Sequence, residues 1–124
     1  MYRDGLTALG RQWEGSGPHS TIRIGEAHEI QPRQRKLMHI AERRNELFKD
    51  APVTHLDPKK VLPTQQFISR DKHDALAHAT DLPPVDVVQH GRAHYVLDGH
   101  HRWDIAREAG RPLAARVVQY QAKA

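Results

Sequence analysis

The sequence predicts a small α+β domain, a mixed sheet with packed helices, preceded by an N-terminal helical extension. Three observations lead there. Short β-branched or alternating runs recur from residue 53 onward, at Val53-Thr-His-Leu56, Val85-Asp-Val-Val88, His94-Tyr-Val-Leu97 and Ala114 to Tyr120. Helix-like stretches separate them, at Arg70 to His78 and Trp103 to Ala109. A chain of 124 residues, 38% apolar and with mean hydropathy −0.74, has material for one modest core. We divide it into an extension, 1–52, and a folded unit, 53–124.

In chain order, Gly15-Ser-Gly-Pro18 is a turn signal, and Thr21-Ile-Arg-Ile24 alternates as a short strand would. Residues 32–49 read as a helix, with Pro32 at its first position and Leu37, Ile40, Ala41, Leu47 and Phe48 on one face. This segment holds six basic and two acidic side chains, a net +4 that equals the charge of the whole chain. Arg44 falls within the apolar stripe. Either its stem packs while its head reaches water, or it points at an anion held in the fold. Lys60-Val-Leu62 reads as a continuation of the strand at Val53, after a turn at Asp57-Pro58. Ser69 reads as a helix cap, and His90-Gly-Arg-Ala93 as the turn of a hairpin. Gly110 stops the last helix before the final strand.

Several function classes are excluded or disfavoured. With no cysteine there is no disulfide, thiolate zinc site or cysteine nucleophile. No apolar stretch approaches the roughly 18 residues of a membrane span. The start, MYRDGLTALG, lacks the apolar run of a signal peptide, so the expected setting is the cytoplasm with no membrane partner. The pI of about 9.7 suits an anionic partner, nucleic acid or nucleotide.

The stretch LDGHHRWDIA, Leu97 to Ala106, joins a strand to a helix. Gly99 allows a sharp turn and the close approach of another group. The free amides of a helix start favour negative charge, and His100, His101 and Arg102 add three potential cations there. Cations at a helix start are unfavourable without an anion, so a phosphate or other oxyanion is the expected occupant. Arg102 shares a face with Ile105, Ala106 and Ala109 and should lean inward. Asp98 can orient a histidine, hold a metal, pair with Arg102 or cap the helix. The two histidines read equally as surface residues. Metal binding by Asp98, His100 and His101 is disfavoured, since adjacent residues rarely converge on one ion, and no metal ligand is assigned. His90 and His94 read as solvated, and His73 and His78 share no helical face well.

Three stretches resemble the ParB/sulfiredoxin superfamily, in particular its small ParB-like nuclease domain proteins of bacteria and their phages. They are Val61-Leu-Pro-Thr-Gln65 with Ile68-Ser-Arg-Asp-Lys72, then Asp81 to Val88, then Leu97 to Ala106 with Gly110. They carry a resemblance that runs from about Val53 to Val118, roughly half the chain. The resemblance implies an α+β fold whose loop–helix junction holds nucleotide phosphates. Gly99, His101 and Arg102 match the phosphate-contacting turn, and Lys72 matches a lysine facing the nucleotide. His100 stands where sulfiredoxins carry their catalytic cysteine, so repair by that chemistry is excluded. Ala75 and Ala79 replace two small polar residues of that site.

Three functions follow as expectations. The first is phosphoryl chemistry on a nucleotide such as ATP or CTP, with Mg2+. There Gly99, His101, Arg102 and Lys72 would hold the phosphates, and Asp98, His100 and His101 are the catalytic candidates. The second is a nuclease hydrolysing phosphodiesters, with Arg33, Lys36 and Arg43 tracking the nucleic-acid backbone. The third is a non-catalytic DNA-binding or adaptor domain that keeps the turn as an anion site. Residues 1–52 are compatible with a dimer arm, a lid or an added DNA contact, and a homodimer stays open.

Overall fold

The computed structural model describes residues 13–15, 19–30, 41–77 and 82–120. Among them the strands are β1 (Thr21–Arg23), β2 (Val53–Leu56), β3 (Val61–Leu62), β4 (Phe67–Ser69), β5 (Val85–His90), β6 (Ala93–Asp98) and β7 (Leu113–Gln119). The helices are α1 (Ala41–Lys49), α2 (Arg70–Ala77) and α3 (His100–Ala109). Five strands form a mixed sheet in the order β2-β7-β5-β6-β3, and β1 pairs antiparallel with β4 in a separate two-stranded sheet. The result is a small α+β domain, as expected.

The alternation along each central strand sends its side chains to two cores. Val85, Val87, Val96, Leu113 and Ala115 face Trp103 and Ala106 of α3, together with Trp13, Ile22, Ile24 and Ile68. On the opposite face Val88 and Leu97, flanked by Tyr95 and Val118, meet Phe48 of α1 and Ile30. The layers are therefore α1, the sheet, and α3 with the small sheet and α2. Trp13, β1 and Phe48, all within the extension, pack into the same cores as the folded unit.

Local chemistry explains most element ends. Gly110 adopts φ 64, and the Arg111 amide donates back to the Ala106 carbonyl at 3.0 Å, a left-handed closure that favours glycine. Gly91 and Arg92 turn the β5–β6 hairpin where the sequence places it. α3 begins three residues earlier than its apolar pattern, at His100, and the Trp103 amide makes the first bond, to the Gly99 carbonyl.

Two readings, of Lys60 to Leu62 and of the apolar stripe of α1, need correction. Lys60-Val-Leu62 does not extend β2: Pro58–Lys60 form a 3-10 turn capped by the Asp57 carboxylate, and β3 pairs parallel with β6 at the far edge of the sheet. The buried Trp103 indole fixes that turn by donating to the Pro58 carbonyl at 2.8 Å. Ser69 directly precedes α2, where the sequence places the helix start, and it also ends a strand, β4, that the sequence did not reveal; its hydroxyl bonds the Asp71 carboxylate. In α1 Phe48 is buried but Leu47 is exposed, so the apolar stripe is narrower than its spacing implied. Arg44, one-third exposed, does point at an anion, and that anion is Asp98, 3.9 Å away. Leu37, Ile40 and the start of the predicted helix lie outside the described residues.

Gly99 is the tightest joint. At φ 105, a Cβ on it would lie 2.6 Å from Cγ1 and 2.9 Å from Cβ of Val85, so both backbone and packing demand glycine. Gly99→Ala should cost about 2–4 kcal/mol, from the left-handed strain and overpacking together. Denaturant melts of Gly99→Ala in wild-type and Val85→Ala backgrounds would check the contact. The glycine substitution should cost less once Val85 is trimmed.

Candidate functional site

The start of α3 faces a cleft of about 530 Å³, lined by Gln65, Lys72, Ala75, Leu76, Asp98, Gly99, His100, His101 and Arg102. The first-turn amides of α3 receive no side-chain cap. Lys72 is exposed on α2 across the cleft. This brings together Lys72 with Asp98, Gly99, His100, His101 and Arg102, from two segments distant in sequence.

The histidines are not the cations the sequence suggested. His100 is buried, and its Nε2 accepts the Thr64 amide at 2.9 Å with the Thr64 hydroxyl at 3.3 Å. That hydroxyl in turn donates to the Val96 carbonyl at 2.6 Å. Burial, with a smaller push from His101, lowers the His100 pKa to about 4 against the pull of Asp98. His101 is half-buried, and its Nε2 accepts the Ser69 amide at 3.1 Å. Burial first, then Lys72 and His73, lower its pKa as well. Both rings are neutral acceptors at neutral pH, with the proton on Nδ1. They staple the β3–β4 connection and the end of β4 to the helix start. A neutral imidazole there removes the unfavourable meeting of cation and helix dipole that the sequence implied.

Arg102 leans inward as expected, but toward protein acceptors. Its Nη1 donates to the carbonyls of Pro83 at 3.1 Å and Pro84 at 2.8 Å, which fixes the rigid loop before β5. Asp98 neither pairs with Arg102 nor caps α3; its carboxylate faces Arg44. A bulge between Asp86 and Val87 sets Asp86 opposite Asp98, and burial followed by the Asp98 charge raises the Asp86 pKa. The cation nearest the cleft without a structural bond through its side-chain nitrogen, among the hydrogen bonds and ion pairs described, is Lys72.

The remaining assignments separate from this site. Arg43 is exposed on α1 and pairs with Glu46 at 3.6 Å, while Arg33 and Lys36 lie outside the described residues. His90 is exposed and packs edge-on against Tyr120 at 4.5 Å. A second cluster was missed. His73 of α2 is fully buried beside Asp104 and Glu108 of α3. The sequence shows only that Asp104 and Glu108 sit one turn apart on the helix; that His73 meets them is decided by the packing of α2 on α3.

No protein-family model, curated protein or solved structure matches this chain. Among the described residues no helix is long and apolar enough to cross a membrane.

The His100 geometry gives a pH prediction. Its folded pKa of about 4 lies below the unfolded value of 6.5, so the unfolded chain takes up the proton first as pH falls. The stability it contributes is present above pH 6.5 and is lost between pH 6.5 and 4, on the order of 3 kcal/mol. His100→Gln keeps an acceptor near the Thr64 amide and cannot titrate. Urea melts from pH 7.5 to 4 should show a shallower decline for that variant than for the wild type.

Proposed function

We propose that the cleft at the start of α3 binds the phosphate of a nucleotide or nucleic acid, and that the chain is a ParB-like phosphate-binding domain. The observation that carries this is the uncapped helix N-terminus facing Lys72 across a cleft of about 530 Å³. The volume suits a nucleotide-sized ligand. Gly99, His101 and Lys72 keep the roles that the family resemblance implies. His101 serves through Nδ1, because Nε2 already accepts the Ser69 amide. Arg102 holds the cleft wall and contributes positive field, since its Nη1 bonds are to the Pro83 and Pro84 carbonyls.

Binding is better supported than catalysis. His100 is buried with its Nε2 engaged, which disfavours it as a general base. Asp98 is the group that would orient a water or hold Mg2+ beside a bound ATP or CTP, if phosphoanhydride or phosphodiester hydrolysis occurs. The alternative is a non-catalytic DNA-binding or adaptor domain. The basic segment that includes Arg33, Lys36 and Arg43 favours nucleic acid as its partner.

Calorimetric titration with ATP, CTP, GTP and a short DNA duplex, with and without Mg2+, tests the reading. Lys72→Ala should weaken binding of the phosphate ligand roughly tenfold or more, with stability unchanged. Binding of none of these ligands, or DNA binding that Lys72→Ala leaves intact, would remove the cleft from the function. Arg102→Ala should instead destabilise the domain by about 1–3 kcal/mol, because it frees the Pro83-Pro84 loop. A wild-type melting profile for Arg102→Ala would contradict that bracing role.

A further inference from the structure

His73, Asp104 and Glu108 form a compact mixed-donor cluster between two facing helices, and none of the three lines the cleft. One ligand-capable atom from each lies within 4.8 Å of the other two. His73 Nε2 stands 3.8 Å from Asp104 Oδ2 and 3.9 Å from Glu108 Oε2. Those separations exceed a direct hydrogen bond. They fit two atoms that each approach one ion at about 2.0–2.2 Å.

Burial strengthens the case. The side chains of His73 and Asp104 are 0% exposed and that of Glu108 5%. Taking two carboxylates out of water is costly unless cations answer them. Arg107 answers one, through its Nη2 on Asp104 Oδ1 at 2.5 Å, and leaves Oδ2 turned toward His73. Glu108 is likewise engaged inside the protein, and an ion at the centre would add to that balance.

The donors are also held in place. Asp104 and Glu108 are one turn apart on α3, so both carboxylates leave the same face of the helix. His73 comes from α2, packed against it. The Trp13 ring closes over His73 edge-on at 5.3 Å, and the Arg70 guanidinium lies 5.9 Å from the Trp13 centroid.

We infer that His73, Asp104 and Glu108 form a structural site for a first-row divalent transition ion of the zinc type. One imidazole and two carboxylates suit zinc and its spectroscopic substitute cobalt. The buried position fits an ion that stabilises the fold.

The experiment uses the full chain, stripped with a chelator and titrated with ZnCl2 or CoCl2. The readouts are metal content per chain, the visible absorption of bound Co2+ and the melting temperature. One ion per chain, a raised melting temperature and loss of affinity by at least about a hundredfold in Glu108→Gln would support the site. Glu108→Gln is nearly isosteric. His73→Gln, in the same titration, distinguishes ligation from a change in packing, because both variants should lose the Co2+ spectrum while wild type gains it. Failure of the wild type to bind one Zn2+ or Co2+ tightly would overturn the inference. So would binding that both variants retain, which would place the ion on other histidines. Neither result depends on whether the cleft binds phosphate.

Discussion

Everything near the cleft depends on how closely β6 hands over to α3 against β5. Gly99 has no Cβ, so the backbone lies directly on Val85, and that contact sets where the helix begins. The next three side chains each fasten a different segment. His100 takes the Thr64 amide, His101 takes the Ser69 amide, and Arg102 gives to the Pro83 and Pro84 carbonyls. One turn of helix thus joins the β3–β4 connection, the end of β4 and the loop before β5. The close approach that the glycine permits is used by the protein itself, by a valine, and the cleft is the space left in front.

This arrangement changes the electrostatics of the site. Three cations at a helix start would repel its dipole and call for a strong anion. The structure has two neutral imidazoles, held so by burial, and one guanidinium committed to carbonyls. The positive end of α3 remains, with Lys72 across from it and Asp98 drawn aside by Arg44. That is a weaker field than the residue types alone imply. It suits reversible binding of a phosphate better than a tightly clamped transition state.

Where short-range patterns decide the structure, the sequence was legible. Alternation located β1, β2, β5, β6 and β7, the hairpin turn at Gly91-Arg92 lies where expected, and Gly110 ends α3. Where long-range contacts decide, it was not. β3 and β4 hold adjacent apolar pairs, Val61-Leu62 and Phe67-Ile68, with no alternation to read, and only pairing with β6 and β1 makes them strands. The grouping of Lys72 with residues 98 to 102 was accessible through the family resemblance, but the state of the histidines was not. A donor from Thr64, 36 residues away, determines which nitrogen of His100 is occupied, and composition carries no trace of that.

The same limit hid the His73 cluster, and α3 explains why such a cluster exists. Five of its ten residues are buried, because the sheet covers one side while α2 and the small sheet cover another. A helix enclosed that far cannot send all its polar groups to solvent, so Asp104 and Glu108 must be answered inside the protein. Arg107 answers Asp104 while its guanidinium lies 4.3 Å from the Trp103 ring centroid, and it also donates to the Ile24 carbonyl next to β1. His73 meets both carboxylates from α2. Trp13 and the Ile24 carbonyl therefore meet charged groups as well as the apolar core. Their packing is tied to how those charges are balanced.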